Sequence, residues 1–134
     1  QKQTIEHFPF EHVNVLCHGH MTHEEYRKIL AICDAGLASL ALDRQGLSEA
    51  ATLKVREYLA LGLPVFSSYR DSAIPQSFYY YRKGIVDMNQ IVDFAIEMKK
   101  STRHQVRCAS ETYIQKHDIM KNLCGWIENK IFLS

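Results

Sequence analysis

Glu49 and Glu57 are the residues of this 134-residue chain whose type and spacing most directly suggest chemistry. A helix turns about 100° per residue, so eight residues bring Glu57 to within roughly 80° of Glu49, about 12 Å further along the axis. If one helix contains both residues, their carboxylates face one side. Carboxylates placed in this way can accept hydrogen bonds from the hydroxyl groups of a sugar or a ribose.

The residues around Glu49 also offer backbone groups for an anion. The loop at residues 46–48 reads Gly-Leu-Ser and leads into the predicted helix, so its amides lie at the helix start. Free amides and the helix dipole favour a phosphate there. The alternative is a solvated face, with Glu49 and Arg56 as surface charges and Lys54 and Glu57 as a weak i,i+3 pair. The spacing alone favours this plainer alternative.

The elements that must position the two glutamates follow from the hydrophobic pattern. The helix breaks at Gly62, and Val65 opens a strand just after Pro64. The predicted buried stripe of this helix consists of Ala51, Val55, Tyr58 and Leu59. Upstream, the pattern predicts a strand at residues 13–17, a helix from the capping box at residues 22–25 to about residue 33, and a buried strand at 35–40. The order β-α-β-α-β indicates an α/β fold and half of a Rossmann-like sheet.

The remaining residues predict one more strand and three helices. Residues 78–81 and 84–86 read as a short strand or a hairpin, with edge-strand packing favoured for the tyrosines. Asn89 is the predicted cap of a helix over residues 90–99, and further helices are expected at 104–116 and 118–131. Trp126, in the last of these, is expected to be a core anchor.

Length and composition predict a single domain covering residues 1–134. A net charge of +1 gives no reason to expect nucleic acid as a partner. No apolar run reaches the length of a transmembrane segment. The cysteines at positions 17, 33, 108 and 124 form no C-x-x-C pair, which favours reduced thiols and a cytoplasmic location.

Two further groups of polar residues have competing interpretations. His18, His20 and His23 form an H-x-H-x-x-H pattern, but the spacing spans a predicted turn and favours a structural or solvated role over a metal site. Arg44 and Gln45 follow the second predicted strand, at the sheet edge where α/β proteins bind ligands. They fit either ligand binding or simple solvation of the loop.

The sequence from Glu49 to Val65 resembles a signature of the retaining glycosyltransferases of the GT-B fold. The similarity is to the large E-x7-E family (glycosyl transferases group 1, family 4-like), whose members often read P-x-K-x-x-E-Y-x-A-x-G-x-P-V. In this chain Thr52 stands at the proline position, and the other fixed positions match. The resemblance implies a Rossmann-like three-layer α/β/α fold with a mostly parallel sheet. It also implies that the chain is the C-terminal, donor-binding domain of such an enzyme.

The resemblance further implies the roles of individual residues in binding a nucleotide-diphosphate sugar. Glu57 would accept hydrogen bonds from the ribose, and Glu49 would contact the transferred sugar. The diphosphate would lie against Ser48, Ala50 and Ala51. Lys54 takes the lysine position of the motif near the phosphates, and Gly19 falls in the turn close to the base. The implied reaction transfers a glycosyl group to an unknown acceptor and needs no metal or other cofactor.

The chain also departs from the family pattern. In relatives a glycine follows the first glutamate closely, whereas this chain has Ala-Ala-Thr at residues 50–52, so Glu57 supports the prediction more than Glu49 does. Relatives place an arginine and a lysine on an earlier strand and loop, against the leaving diphosphate. We therefore expect this chain to be a fragment that needs an N-terminal domain as partner and transfers no sugar alone. The resemblance assigns no catalytic residue within it.

These departures keep a second hypothesis open. A Rossmann-like module that has lost catalysis could serve binding or interaction only. In the enzymatic hypothesis the location is cytoplasmic, or peripheral at the inner membrane through the part outside this chain.

Overall fold

The α/β class predicted from the sequence is confirmed. The structure, a computed structural model, describes residue 16 and residues 18–74, 78–81 and 86–131. The elements in chain order are α1 (His23–Ile32), β1 (Gly36–Leu37), a 3-10 helix (Leu42–Gln45), α2 (Leu53–Ala60), β2 (Val65–Ser67), β3 (Tyr79–Tyr81), α3 (Met88–Met98), α4 (Arg103–Ile114) and α5 (Lys116–Ile131). Apart from residue 16, the strand predicted at 13–17 lies outside the described residues.

The sheet is parallel, with the strands in the order β1-β2-β3. Gly36 pairs with Val65, and Val65 pairs with Tyr79 on the other side. β2 is the central strand, and all three of its residues are buried. The tyrosine segment forms an edge strand of the described sheet and pairs in parallel with β2. The hairpin alternative involves residues 84 and 85, which lie outside the described residues. β1 is shorter than the strand predicted at 35–40.

Two hydrophobic clusters hold the helices on the sheet. Val55 and Leu59 of α2 are fully buried beside Val65 and Val106, which confirms the centre of the predicted stripe. Ala51 is exposed because it precedes the helix, so the prediction that it belongs to the buried stripe was wrong. In the second cluster Phe66 meets Phe94 edge to face, with ring centroids 5.7 Å apart.

Two predictions about the later helices are wrong. The N-cap of α3 is Asp87, whose carboxylate accepts a hydrogen bond from the Asn89 amide at 3.1 Å, so the helix begins before Asn89. Trp126 is 60% exposed and is not a core anchor. α5 packs on α4, so much of its surface faces away from the sheet. No helix in the part of the chain described is long and apolar enough to cross a bilayer.

Arg103 joins the start of α4 to the ends of two other helices. Its guanidinium donates hydrogen bonds to the carbonyl oxygens of Leu30 at 2.8 Å and Cys33 at 2.7 Å, at the end of α1. It also donates to the carbonyl of Leu61 after α2, at 3.3 Å. Terminal carbonyls of a helix lack intrahelical partners and carry partial negative charge, so one arginine stabilises both helix ends.

The capping box of α1 makes part of the stability depend on pH. The backbone amide of Thr22, and then its hydroxyl, donate to the Glu25 carboxylate and lower the pKa of that group. Because the folded pKa lies below the unfolded one, the contribution is present above the ordinary glutamate pKa and is lost as pH falls through the lowered value. We expect Glu25→Gln to reduce the melting temperature slightly at neutral pH and not in acid. Thermal unfolding followed by circular dichroism tests this, and an equal reduction at both pH values would contradict it.

Candidate functional site

Glu49 and Glu57 do not lie on one helix, so that prediction from their spacing is wrong. α2 begins at Leu53 with Thr52 as its N-cap, and Glu49 precedes it in an extended segment. This segment pairs with the chain that follows β2. The Ala50 amide donates to the Arg70 carbonyl, and the Arg70 amide donates to the Ser48 carbonyl, each at 3.0 Å. These two bonds hold residues 48–50 in an extended conformation and place Glu49 beside the loop after β2.

The carboxylate of Glu49 is accessible to solvent and lightly held. Its Oε1 lies 3.8 Å from Nη1 of Arg70, and the two side chains are 55% and 62% exposed. An exposed pair of this kind contributes little to stability. Breaking this ion pair to bind a ligand therefore costs little free energy. The carboxylate can accept hydrogen bonds from hydroxyl groups, and the guanidinium can donate hydrogen bonds to oxygen atoms.

Glu57 lies beside the start of α1. Its Oε1 is 3.9 Å from Nδ1 of His23, and its side chain is 37% exposed. His23 follows the N-cap Thr22, and the exposed turn at Gly19, with φ of 68°, leads into that cap. The Gly19 turn therefore enters the helix start that contacts Glu57. Gly19 and Glu57 are distant in the sequence, and the contact between His23 and Glu57 brings the segment that follows Gly19 against α2.

The surface next to Glu57 is aromatic and neutral. Burial is the main cause that raises the pKa of the Tyr26 phenol far above its usual range, and a hydrogen bond with Tyr58 and the Glu57 charge act in the same direction. Gly36 of β1 lies so close to the Tyr58 ring that a β-carbon would overlap it. The phenol of Tyr26 therefore stays protonated beside Glu57.

A buried ion pair that the sequence did not reveal fixes the other side of α2. Arg56 and Asp71 are bound by two hydrogen bonds, Nη1 to Oδ2 at 2.8 Å and Nη2 to Oδ1 at 3.4 Å. Their side chains are 17% and 1% exposed, so the interpretation of Arg56 as a surface charge was wrong. Asp71 also accepts the Ala73 amide at 3.1 Å. An aspartate followed by small residues is typical of such a turn, which is the one signal in the sequence for this loop.

Some of the backbone amides predicted to hold a phosphate already donate hydrogen bonds within the protein. The Leu47 amide donates to the Leu42 carbonyl at 3.1 Å, and the Ala50 amide bonds to Arg70. The first turn of α2 offers replacements, because its amides have no intrahelical acceptors. The Thr52 hydroxyl does not cap them, since it bonds to the Tyr69 hydroxyl at 2.7 Å. Lys54 is exposed on this same turn.

The other polar candidates lie around the same edge of the sheet. Ser48 and Ala51 are exposed on either side of the segment that pairs with Arg70. Arg44 and Gln45 are exposed in the 3-10 helix after β1.

Within the ranges described, no three His, Cys, Asp or Glu side chains form a metal-binding group, and His23 contacts Glu57 instead. The thiols of Cys33, Cys108 and Cys124 are free, in keeping with the absence of a disulfide framework in the sequence.

Comparison with known proteins gives no relative from which a function could be transferred. No protein-family model, no curated protein and no solved structure matches the chain. The site must therefore be interpreted from its own residues and from the sequence signature.

Proposed function

We propose that this chain binds a nucleotide-diphosphate sugar, as the C-terminal donor-binding domain of a GT-B retaining glycosyltransferase of the E-x7-E family. The sequence signature supports this, because a lysine, a glutamate–tyrosine pair and a G-x-P-V turn occur in register over residues 54–65. The parallel β1-α2-β2 unit supports it too, since it is the repeating piece of a Rossmann-like three-layer fold. The remaining layers of that fold are part of the proposal.

The observation on which the proposal rests most heavily is the position of Glu57. Its half-exposed carboxylate lies on α2 against His23 at the start of α1, four residues after Gly19 in the chain. A base held near the Gly19 turn would bring its ribose hydroxyls toward the Glu57 carboxylate. Two hydroxyls on one carboxylate form charge-assisted hydrogen bonds, which are stronger than neutral ones.

The rest of the donor then follows the edge of the sheet. The diphosphate would lie at the first turn of α2, near Lys54, where the helix amides favour negative charge. The sugar would reach Glu49, whose exposed partner Arg70 can turn to the same ligand. Glu49 and Arg70 lie beyond the carboxyl ends of β1 and β2, where open α/β sheets bind their ligands.

The chemistry of this domain is positioning and charge stabilisation. Holding the donor by its ribose, diphosphate and sugar fixes the bond that must break relative to an acceptor. The α2 amides and Lys54 would stabilise charge on the departing diphosphate. No residue of the chain is assigned as the acid, base or nucleophile.

Calorimetric titration with UDP and GDP tests the proposal. We expect one of them to bind, and Glu57→Gln to weaken that binding about 10- to 100-fold, because hydrogen bonds to a charged carboxylate are replaced by neutral ones. Glu128→Gln on α5 is the matched control, since it removes the same charge from an exposed position. Unchanged affinity in Glu57→Gln, or equal losses in both variants, would count against the proposal.

One observation favours the second hypothesis, a module for interaction only. α5 exposes a row of apolar side chains at helical spacing: Ile119, Met120, Leu123, Trp126 and Ile127. Contiguous apolar surface of this kind is typical of a contact with another polypeptide. The nucleotide titration separates the hypotheses, because an interaction module would show no preference for UDP or GDP.

A further inference from the structure

A cavity lies between α1 and α4, and none of the residues of the proposed donor site line it. It has a volume of about 460 Å³, within the range of small-molecule sites. Its walls are one face of α1, the end of α2 and the start of α4: Glu24, Arg27, Lys28, Ala31, Leu61 and Arg103, together with Arg107. This cavity is called the α1/α4 groove.

The charge of the α1/α4 groove is strongly one-sided. Four cationic side chains and one carboxylate line it, in a chain whose net charge is only +1. Glu24 is engaged with Lys28, with Oε1 and Nζ 2.8 Å apart. Within the described ranges, Arg27 on α1 and Arg107 on α4 have no ion-pair partner. Two uncompensated guanidinium groups thus line one groove from different helices.

The framework of the groove is fixed by Arg103. This residue joins α4 to the end carbonyls of α1 and α2, so the two walls that present Arg27 and Arg107 are tied together. Arg27 and Lys28 follow Glu24 by three and four positions, which puts all three on one helix face. Arg107 follows Arg103 by four positions and lies on the same face of α4.

We propose that the α1/α4 groove binds a phosphate-bearing anion, held by Arg27 and Arg107. The planar guanidinium group matches phosphate oxygens with two parallel hydrogen bonds, and two such groups suit a diphosphate or a phosphorylated head group. An anion between the walls would also relieve the repulsion between their positive charges. The proposal does not depend on donor binding at Glu57, because the two sites share no residue.

Binding of two probes tests the proposal and distinguishes the sources of the phosphate. Calorimetry measures binding of inorganic pyrophosphate, and co-sedimentation measures binding to phosphatidylcholine vesicles with and without phosphatidylglycerol. We expect Arg27→Ala and Arg107→Ala each to weaken binding of one probe by about 10-fold or more. Lys121→Ala on α5 is the matched control: it removes one exposed positive charge outside the groove and should leave the affinity unchanged.

Each result has a defined meaning. Pyrophosphate binding that depends on both arginines supports a free phosphate ligand, and vesicle binding with the same dependence supports a lipid head group. The start of α2 is intact in all three variants, so a loss confined to Arg27→Ala and Arg107→Ala locates the anion in the groove. Failure of both probes to bind the wild-type chain, or equal behaviour of all three variants, would overturn the proposal.

Discussion

Replacing Asp71 with alanine should lower the free energy of unfolding by about 3–5 kcal/mol. The carboxylate is 1% exposed and holds Arg56, itself 17% exposed, by two hydrogen bonds. Without Asp71 the guanidinium would remain in the interior with only the Thr52 carbonyl, 3.1 Å away, as an acceptor. Urea unfolding of the wild type and the variant measures the difference.

Two variants show whether the loss comes from an unpaired buried charge. Asp34→Asn breaks the exposed pair with Lys99, in which Oδ2 and Nζ are 3.1 Å apart, and should cost no more than about 1 kcal/mol. The double variant Arg56→Met/Asp71→Leu removes both charges and should recover most of the stability lost in Asp71→Ala. If Asp71→Ala costs no more than Asp34→Asn, the pair is not buried as described.

Replacing Gly62 with alanine should be similarly damaging, at about 2–5 kcal/mol. Gly62 has φ of 73°, where a side chain is strained, and it lies where α4 meets the end of α2. A β-carbon here would overlap the backbone carbonyl of Arg103, and its nearest neighbours, the O, C and Cβ atoms of that residue, cannot rotate away. The variant would therefore push α4 off α2 and weaken the Arg103 hydrogen bonds. Thermal or urea unfolding measures the effect.

Substitutions at two other glycines separate the effect of backbone strain from that of steric overlap. Gly46 has φ of 72° but open space around it, so Gly46→Ala should cost only about 1–2 kcal/mol from backbone strain. Gly125 lies within α5 with nothing near its missing side chain, and Gly125→Ala should stabilise the protein by about 0.5–1 kcal/mol. If Gly62→Ala costs no more than Gly46→Ala, the close packing of α4 at this point would be contradicted.

Features set by local chemistry could be predicted from the sequence. The capping box at Thr22 and Glu25 spans four residues, and the structure forms it as expected. Val55 and Leu59 share a helix face because of helical geometry alone, and both are buried. The strand at Val65 follows from an apolar run after Gly62 and Pro64.

Features that depend on distant residues could not be predicted in this way. The extended backbone at Glu49 exists because Arg70 pairs with its neighbours, and no local pattern reveals that contact. Arg56 is buried because a loop beyond β2 brings Asp71 to it. Trp126 is exposed because α5 packs on α4 rather than on the sheet, which its hydrophobicity alone does not indicate.

The same division applies to the candidate site. Glu57 and the Gly19 turn were named from the sequence, whereas the contact of Glu57 with His23 came only from the fold. The amides for a phosphate moved from residues 48–51 toward the first turn of α2, because residues 48–50 pair with Arg70. In the proposal, the diphosphate therefore lies at the first turn of α2, and Glu57 keeps its role toward the ribose.

The most direct test of nucleotide binding at this edge is an NMR titration of the chain with UDP and with GDP. We expect one nucleotide to shift the backbone amide signals of residues 18–23 and 50–57 and to leave those of α4 and α5 in place. No shift with either nucleotide, or shifts confined to α4 and α5, would contradict it.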